Sequence, residues 1–265
     1  MVTRNVDIQN TGKPSRTSGS GSESHRRRLG VLLGFTEELH TQTVHEIAAR
    51  VDIPVSSAYR YVSQLRAVGL LEEAEFGGYR VSLRAVELAR AARAGSAGIV
   101  DVTRPVLERL TRDHGETSLL IRRLGHAVVA VDMEETRSSV RLAFERGRLM
   151  PLHQGAAARV LLAAMKPKER AEYYASIYSF SATPDLPGDT ELAEIGEQGW
   201  AESFGQIEEG IWGCASVIRA RRQVVAALSM AGPIYRLDAT RRDQVKAAVK
   251  EAADEINAHL ARIAF

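Results

Sequence analysis

Ser56, Ser57, Tyr59, Arg60 and Ser63 supply small hydroxyls, an aromatic ring and a guanidinium fork within one short segment. These are the side chains that meet phosphate oxygens and base edges. Interleaved with them, Ala58, Tyr61, Val62 and Leu65 fall at i, i+3, i+4 and i+7, a stripe that a helix buries. Pro54 fits the first turn of that helix, where its missing N–H costs nothing, and Gly69 stops it. Upstream, Thr43 and Glu46 have the spacing of a capping box, starting a helix whose buried side is Ile47, Val51 and Ile53, and the Thr43 hydroxyl is a further group expected at the DNA. Two short helices around a tight turn, over residues 43–71, predict a helix-turn-helix that reads a major groove. Leu70 and Leu71 then open an extended segment that turns at Gly77-Gly78 and returns through Tyr79-Arg80-Val81. That is a wing, with Arg80 placed to rest on a phosphate. Leu29, Leu32, Leu33 and Leu39 give a preceding helix its apolar face.

Other residues that could do chemistry lack the company they need. Cys214 with His153 suggests a nucleophile and base, yet no acid at fixed spacing completes a triad and no Gly-rich phosphate loop is present. The seven histidines show no paired ligand spacing, and one cysteine cannot build a structural zinc site. The sequence therefore predicts no catalysis, no metal and no cofactor. Gly155 to Ala158, a run of small residues opening a helix, has two readings: exposed N–H groups that receive a carboxylate, or a close approach of two elements.

The elements that hold these residues follow from composition and pattern. At 265 residues, 45% hydrophobic and 26% charged, the chain is long enough for two domains. No run of about eighteen apolar residues predicts a membrane span, and the N-terminus has no apolar core of a secretory signal. A single cysteine fits a reducing compartment, so a cytoplasmic protein is expected. Net charge is only +2, but residues 1–30 hold six Lys/Arg against two Asp/Glu, three of them in Arg26-Arg27-Arg28. Such a Gly/Ser-rich basic arm either follows a DNA backbone or merely solubilises.

Residues 1–24 read as a disordered basic arm, 25–84 as a winged helix-turn-helix, 85–114 as a helical linker that dimerises, and 115–265 as an effector-binding α/β domain. The fold class is α+β. In the linker, Gly95, Ser96 and Gly98 are expected to interrupt two helical runs. TSLLIRRL and HAVVAVDME around Gly125, then CASVIRA and QVVAALSMAGP, are β-rich and predict a mostly antiparallel sheet. SSVRLAF follows HAVVAVDME, and then GRLMPLHQGAAARVLLAAMKPKERAEYYAS reads as a loop running into helices. A closing helix from about Thr240 to Ile263 carries Val245, Ala248, Val249, Ala252, Ile256 and Leu260 on its apolar side.

The order of these pieces resembles the IclR family of bacterial transcriptional regulators from about residue 26 to the end. The resemblance is carried by PVSSAYRYVSQLRAVGLLE, by GRLMPLHQGAAARVLLA, and by GWAESFGQIEEGIWGCASVI followed by VVAALSMAGP. It implies a repressor or activator of a catabolic operon that works as a dimer or dimer of dimers. Its partners would be double-stranded DNA with an approximately palindromic operator and a small organic acid effector. Position by position, it implies a pocket at Leu142, Met150, Gly155, Ala156, Ala157, Ser203, Ile211, Gly213, Cys214, Ser229 and Ala231. Trp200 and Trp212 flank this region, available to stack on a ring or to fill a core. The chain departs from the pattern in three places. Ser203-Phe204-Gly205-Gln206 stands where many members carry an acidic segment, Ala158-Arg159 where Gly-Lys is usual, and Ala231 where a second Ser often occurs. Taken together, the changes lower the polarity of the implied pocket and favour an aromatic acid over a short keto acid. A ligand-independent architectural DNA binder is the competing reading, and the large α/β domain argues against it.

Overall fold

The computed structural model describes residues 20–138, 144–178 and 185–262, with the backbone alone for 20–23 and 93–97. The chain divides into two units between Ser96 and Ala97.

The N-terminal unit runs α1 (Ser20–Leu33), β1 (Thr41–Gln42), α2 (Val44–Val51), α3 (Val55–Ala67), β2 (Leu71–Glu73) and β3 (Tyr79–Val81). Its helices begin and end where local chemistry dictates. Thr43 caps α2: its Oγ1 accepts from the Glu46 N–H at 3.3 Å, and Glu46 Oε2 accepts from the Thr43 N–H at 2.7 Å. Pro54 is the N-cap of α3, one position before the first turn expected for it. At the other end Gly69 takes φ +74. Its N–H donates to Arg66 O at 2.8 Å and that of Leu70 to Leu65 O at 2.9 Å, which satisfies two carbonyls the helix leaves open.

Ala58, Tyr61, Val62 and Leu65 are all buried, packed with Val44, Ile47 and Leu71. The face expected for the preceding helix needs correction. Val31 is its fully buried residue and Leu32 is half-buried, whereas Leu29, Leu33 and Leu39 are exposed. Four leucines outvoted one valine in the sequence pattern, but α1 turns a different edge to the core. Helix α1 also begins at Ser20, so residues 20–24 and Arg26–Arg28 belong to a helix and not to a flexible arm; residues 1–19 lie outside the described residues. The wing is a three-stranded sheet of order β1-β3-β2, with Arg80 opposite Glu72 in register.

Helix α4 (Arg84–His114) is continuous through Gly95, Ser96 and Gly98, where a break was expected. An interior Gly costs only about 1 kcal/mol against Ala, too little to stop a long helix among good helix formers. The C-terminal unit continues with β4 (Thr117–Leu124), β5 (Ala127–Glu134), β6 (Leu149–Pro151), α5 (Ala156–Ala163), α6 (Pro167–Tyr178) and α7 (Asp189–Gln198). Then come β7 (Trp200–Phe204), β8 (Ile211–Ala220), β9 (Gln223–Pro233) and α8 (Ala239–Arg262). The sheet has the order β6-β5-β4-β9-β8-β7, and every pairing is antiparallel. Strand β6 falls where the sequence reads as a connection, being three residues long with no alternation to detect.

Each face of the sheet carries a core. Leu119, Ile121, Ala215, Val217 and Ala227 pack with Val160 and Leu161 of α5. Leu120, Ile218, Leu228 and Met230 pack with Val106, Leu107 and Leu110 of α4 and with α8. Burial on both faces is why β9 reads as the nearly unbroken apolar run VVAALSMA. Helix α8 presents Val245, Val249, Ala252, Ile256 and Leu260, the side expected of it, with Ala248 half-buried beside them.

Candidate functional site

On α3 the structure brings Ser56, Tyr59, Arg60 and Ser63 together as exposed residues, with Ser57 half-buried among them. Arg60 lies over the Tyr61 ring at 5.3 Å and pairs with no carboxylate among the described residues. Arg28 reaches the same ring from α1 at 5.5 Å, and Tyr61 Oη lies 3.0 Å from Ser24 Oγ. The Ser24 hydrogen bond, with both guanidinium groups close by, holds the Tyr61 phenol below its ordinary range. Arg28 is therefore a packing residue of the helical core, and Arg26 and Arg27 stand exposed on α1.

Two further residues expected at DNA have other commitments. Thr43 donates its hydroxyl to Glu46 Oε2 at 2.8 Å as part of the cap. Arg80 Nε is 2.7 Å from Glu72 Oε1, so reaching a phosphate would mean giving up that pair.

In the C-terminal unit a cavity opens between the sheet and the start of α5. Met150 of β6 lines it with Gly155, Ala156 and Ala157; Ser203, Ile211 and Gly213 come from β7 and β8, and Ser229 and Ala231 from β9. Leu142 lies outside the described residues. Cys214 needs correction: it is 1% exposed and packs in the core under α8, with its thiol pushed up by burial. Side chains alternate along a strand, so Ile211 and Gly213 facing the cavity force Trp212 and Cys214 to the opposite face. Trp212 donates Nε1–H to Glu202 Oε1 at 3.0 Å there, and Trp200 lies under Lys246 and Lys250 of α8. Neither tryptophan reaches the cavity. Its walls are completed by Gln154 and Ala158 beside the expected small residues, and by Leu119, Ile121, Val128, Phe144 and Ile207, none of them in the expected set. Leu119, Leu120 and Ile121 form an unbroken apolar run buried on both faces, so no alternation marks which of them face the cavity, and Phe144 and Ile207 sit in connections and gave no signal.

His153 also stays apart from Cys214. It is buried on the α5 face, with Nδ1 2.5 Å from Tyr173 Oη. Burial lowers the His153 imidazole and raises the Tyr173 phenol from their ordinary values. Cys214 and His153 therefore do not form the pair that their residue types suggested. Arg159, the departure from the usual lysine, is bound to Glu191 of α7 at 2.7 Å.

No charged side chain lines the cavity among the described residues, so its polar character comes from few groups, the Gln154 amide and the hydroxyls of Ser203 and Ser229. Ser229 Oγ donates to Cys214 O at 2.9 Å, and Ser203 Oγ bonds weakly to Gly213 O at 3.4 Å. Gly213 opens the floor: a Cβ there would lie 3.1 Å from Ser203 Oγ. Helix α5 begins at Gly155, whose φ +85 and ψ 159 suit only glycine, and no side chain caps its first N–H groups. Such an uncapped start carries partial positive charge, an arrangement able to receive an anionic group without a basic side chain. The space available to a water-sized sphere is about 30 Å³.

A three-helix reader with a wing, joined in one chain to a domain holding an apolar cavity over an uncapped helix start, defines a ligand-responsive transcription regulator. The profile described as "Bacterial transcriptional regulator IclR C-terminal" matches residues 91–258, and that of the "IclR helix-turn-helix domain" matches residues 26–75. The chain belongs to the IclR family. It is 30% identical over 222 residues to the HTH-type transcriptional regulator KipR of Bacillus subtilis, covering 81% of this chain and 88% of KipR. It is 25% identical over 267 residues to the transcriptional repressor AllR of Escherichia coli K12, covering 96% and 97%. Among solved structures, an IclR family regulator from Brucella abortus superposes with a TM-score of 0.79 at 21% identity, covering 93% and 96% of the two chains. An IclR homologue from Microbacterium hydrocarbonoxydans, complexed with 4-hydroxybenzoate, gives 0.68 at 26% identity, covering 89% and 98%.

Proposed function

We propose that this regulator controls a catabolic operon and that a small aromatic carboxylic acid changes its affinity for the operator. The observation that carries the reading is a cavity with apolar walls whose anion-receptive element is the uncapped start of α5. The carboxylate meets the N–H groups of Ala156 and Ala157, and the ring lies between Met150, Phe144 and Ile211. At the floor Ser203 and Ser229 offer hydroxyl oxygens to a ring substituent. The relative that holds 4-hydroxybenzoate supports the same ligand class.

On the DNA side, Ser56, Ser57, Tyr59, Arg60 and Ser63 enter the major groove, with Arg26, Arg27 and the wing at the backbone. The protein works as a homodimer or a dimer of dimers. Exposed Leu29 and Leu33 on α1, with Leu83, Val86 and Leu88 around the start of α4, support self-association. A two-fold dimer sets two α3 helices on an approximately palindromic operator with half-sites about 34–36 Å apart.

Fluorescence anisotropy of a labelled operator, titrated with protein in the presence of 4-hydroxybenzoate, benzoate or pyruvate, tests the reading. An aromatic acid is expected to change operator affinity and pyruvate to leave it unchanged. The opposite ranking overturns the aromatic assignment.

A further inference from the structure

The geometry points to Ile207 as the gatekeeper of the cavity, the residue that holds the Gly205–Gly210 loop closed and sets the size of acid that enters. The inference rests on the reading of this cavity as the effector site.

Space is the first argument. The cavity offers about 30 Å³ to a water-sized sphere, well short of the roughly 150 Å³ of a cavity that takes up benzene. Something in the wall must withdraw before a ring enters. Most of the wall is strand or helix: β4, β5, β8 and β9 are hydrogen-bonded in the sheet, and Ala156 is fixed in the first turn of α5. Two apolar side chains of the wall lie in connections, and of these Phe144 is packed against the core whereas Ile207 is not. It belongs to the connection between β7 and β8, lines the cavity on one side and is 49% exposed on the other.

Its contact is also aimed at the anion-receptive element. A Cβ built on Gly155 would lie 2.6 Å from Ile207 Cδ1 and 3.0 Å from Cγ1, so the isoleucine rests directly on the backbone that starts α5. A carboxylate approaching the Ala156 N–H from the mouth competes with that side chain for the same place.

The loop is built to move. Gly205 and Gly210 flank it with φ +71 and +79, conformations open to glycine, and hinges absorb their rotation at such end positions. Among the described residues three backbone bonds hold it, all near its ends: the Gly205 N–H donates to Ile211 O at 2.8 Å, the Ile211 N–H to Glu208 O at 3.1 Å and the Ile234 N–H to Gly210 O at 2.8 Å, so Gln206 and Ile207 are left to side-chain packing. Within it, Gln206 Oε1 is buried with no hydrogen-bond partner among the described residues. An opened loop returns that oxygen to water, which favours opening.

Two measurements on the full chain test the proposal. The first needs no ligand: hydrogen exchange over residues 203–211 compares the wild type with Ile207→Ala. Loss of protection in the variant is expected, because the alanine no longer packs on Gly155. The second is isothermal titration with benzoate and with para-substituted benzoates of increasing size, for the wild type, Ile207→Ala and Ile207→Trp. Ile207→Ala should tighten binding of the larger acids by about tenfold, the scale of a methylene-sized change in a fitted pocket, and Ile207→Trp should abolish it. Unchanged exchange in Ile207→Ala overturns the gatekeeper, as does an unchanged size ranking among acids that do bind. Loss of protection in Ile207→Ala with no aromatic acid binding any variant keeps Ile207 as the loop's anchor and overturns the aromatic-acid reading instead.

Discussion

Arg60 and His153 show how a single side chain's surroundings decide what it contributes. Arg60 is on the exposed side of α3 and pairs with no carboxylate among the described residues, so its guanidinium is available to a guanine edge or a phosphate. Arg60→Ala should weaken operator binding by about 1–3 kcal/mol, the scale of one good Arg–DNA contact. The fold should survive, because Arg28 still covers the Tyr61 ring. Anisotropy titration beside a thermal melt checks both halves, and unchanged affinity removes Arg60 from the interface. His153 is buried and held neutral, its pKa lowered from the ordinary value by desolvation. Below an unfolded-state value of about 6.5 the unfolded chain binds more protons than the folded one, so stability is full above that pH and falls as pH drops towards the folded value. The variant His153→Gln keeps a polar partner for Tyr173 and should flatten the loss of melting temperature between pH 7 and 5. A slope equal to that of the wild type would place the acid sensitivity elsewhere.

Elements bring these side chains together, and the reach of the information needed separates what was legible from what was not. The capping box, the α3 stripe and the Gly69 stop all rest on contacts within a few residues, and each stands where the residues put it. Thr43→Ala should accordingly cost about 1 kcal/mol of stability, measurable as a lowered denaturant midpoint with unchanged slope. The sheet side of the pocket depends on register, which no local pattern contains. Strand β8 starts at Ile211, three residues before CASVIRA, and that start fixes Gly213 towards the cavity and Cys214 away from it. Likewise Val31 outranks Leu29 and Leu33 only because of which edge of α1 meets the core. Register also supplies a clean test of the pocket floor. Gly213 pairs with Ser203 and Ala231, and its backbone is outside the left-handed region, so Gly213→Ala is tolerated by the strand yet places a methyl 3.1 Å from Ser203 Oγ. Acid binding should weaken by about tenfold, as expected for one methyl in a fitted site, with the melting temperature and operator affinity unchanged. If titration finds the acid bound as before, the floor of the site lies elsewhere.

At the scale of the whole molecule the two units have separate cores, and α4 is the element common to both: its first turns precede Ser96, and Val106, Leu107 and Leu110 are built into the core beneath the sheet. On the proposed function, an acid that binds one arrangement of the C-terminal unit better than another would shift the population of that arrangement, and α4, packed in that unit's core, is the element we expect to carry the bias. A ligand moves an equilibrium only by its differential affinity, so tight binding of the acid would not by itself imply a response at DNA. Thermodynamic linkage makes the coupling between acid and operator reciprocal. If the acid weakens operator binding by some factor, the operator weakens acid binding by the same factor, typically about 5–150-fold. Calorimetric titration of 4-hydroxybenzoate into the free protein and into the protein saturated with operator should therefore return two dissociation constants. Their ratio should equal the shift in operator affinity measured by anisotropy. Gly213→Ala should weaken both acid titrations equally and leave the ratio intact if the floor of the cavity serves only to bind the acid. Equal constants for free and operator-bound protein would mean that the acid is bound without regulating, and would leave the DNA reader under the control of some other ligand.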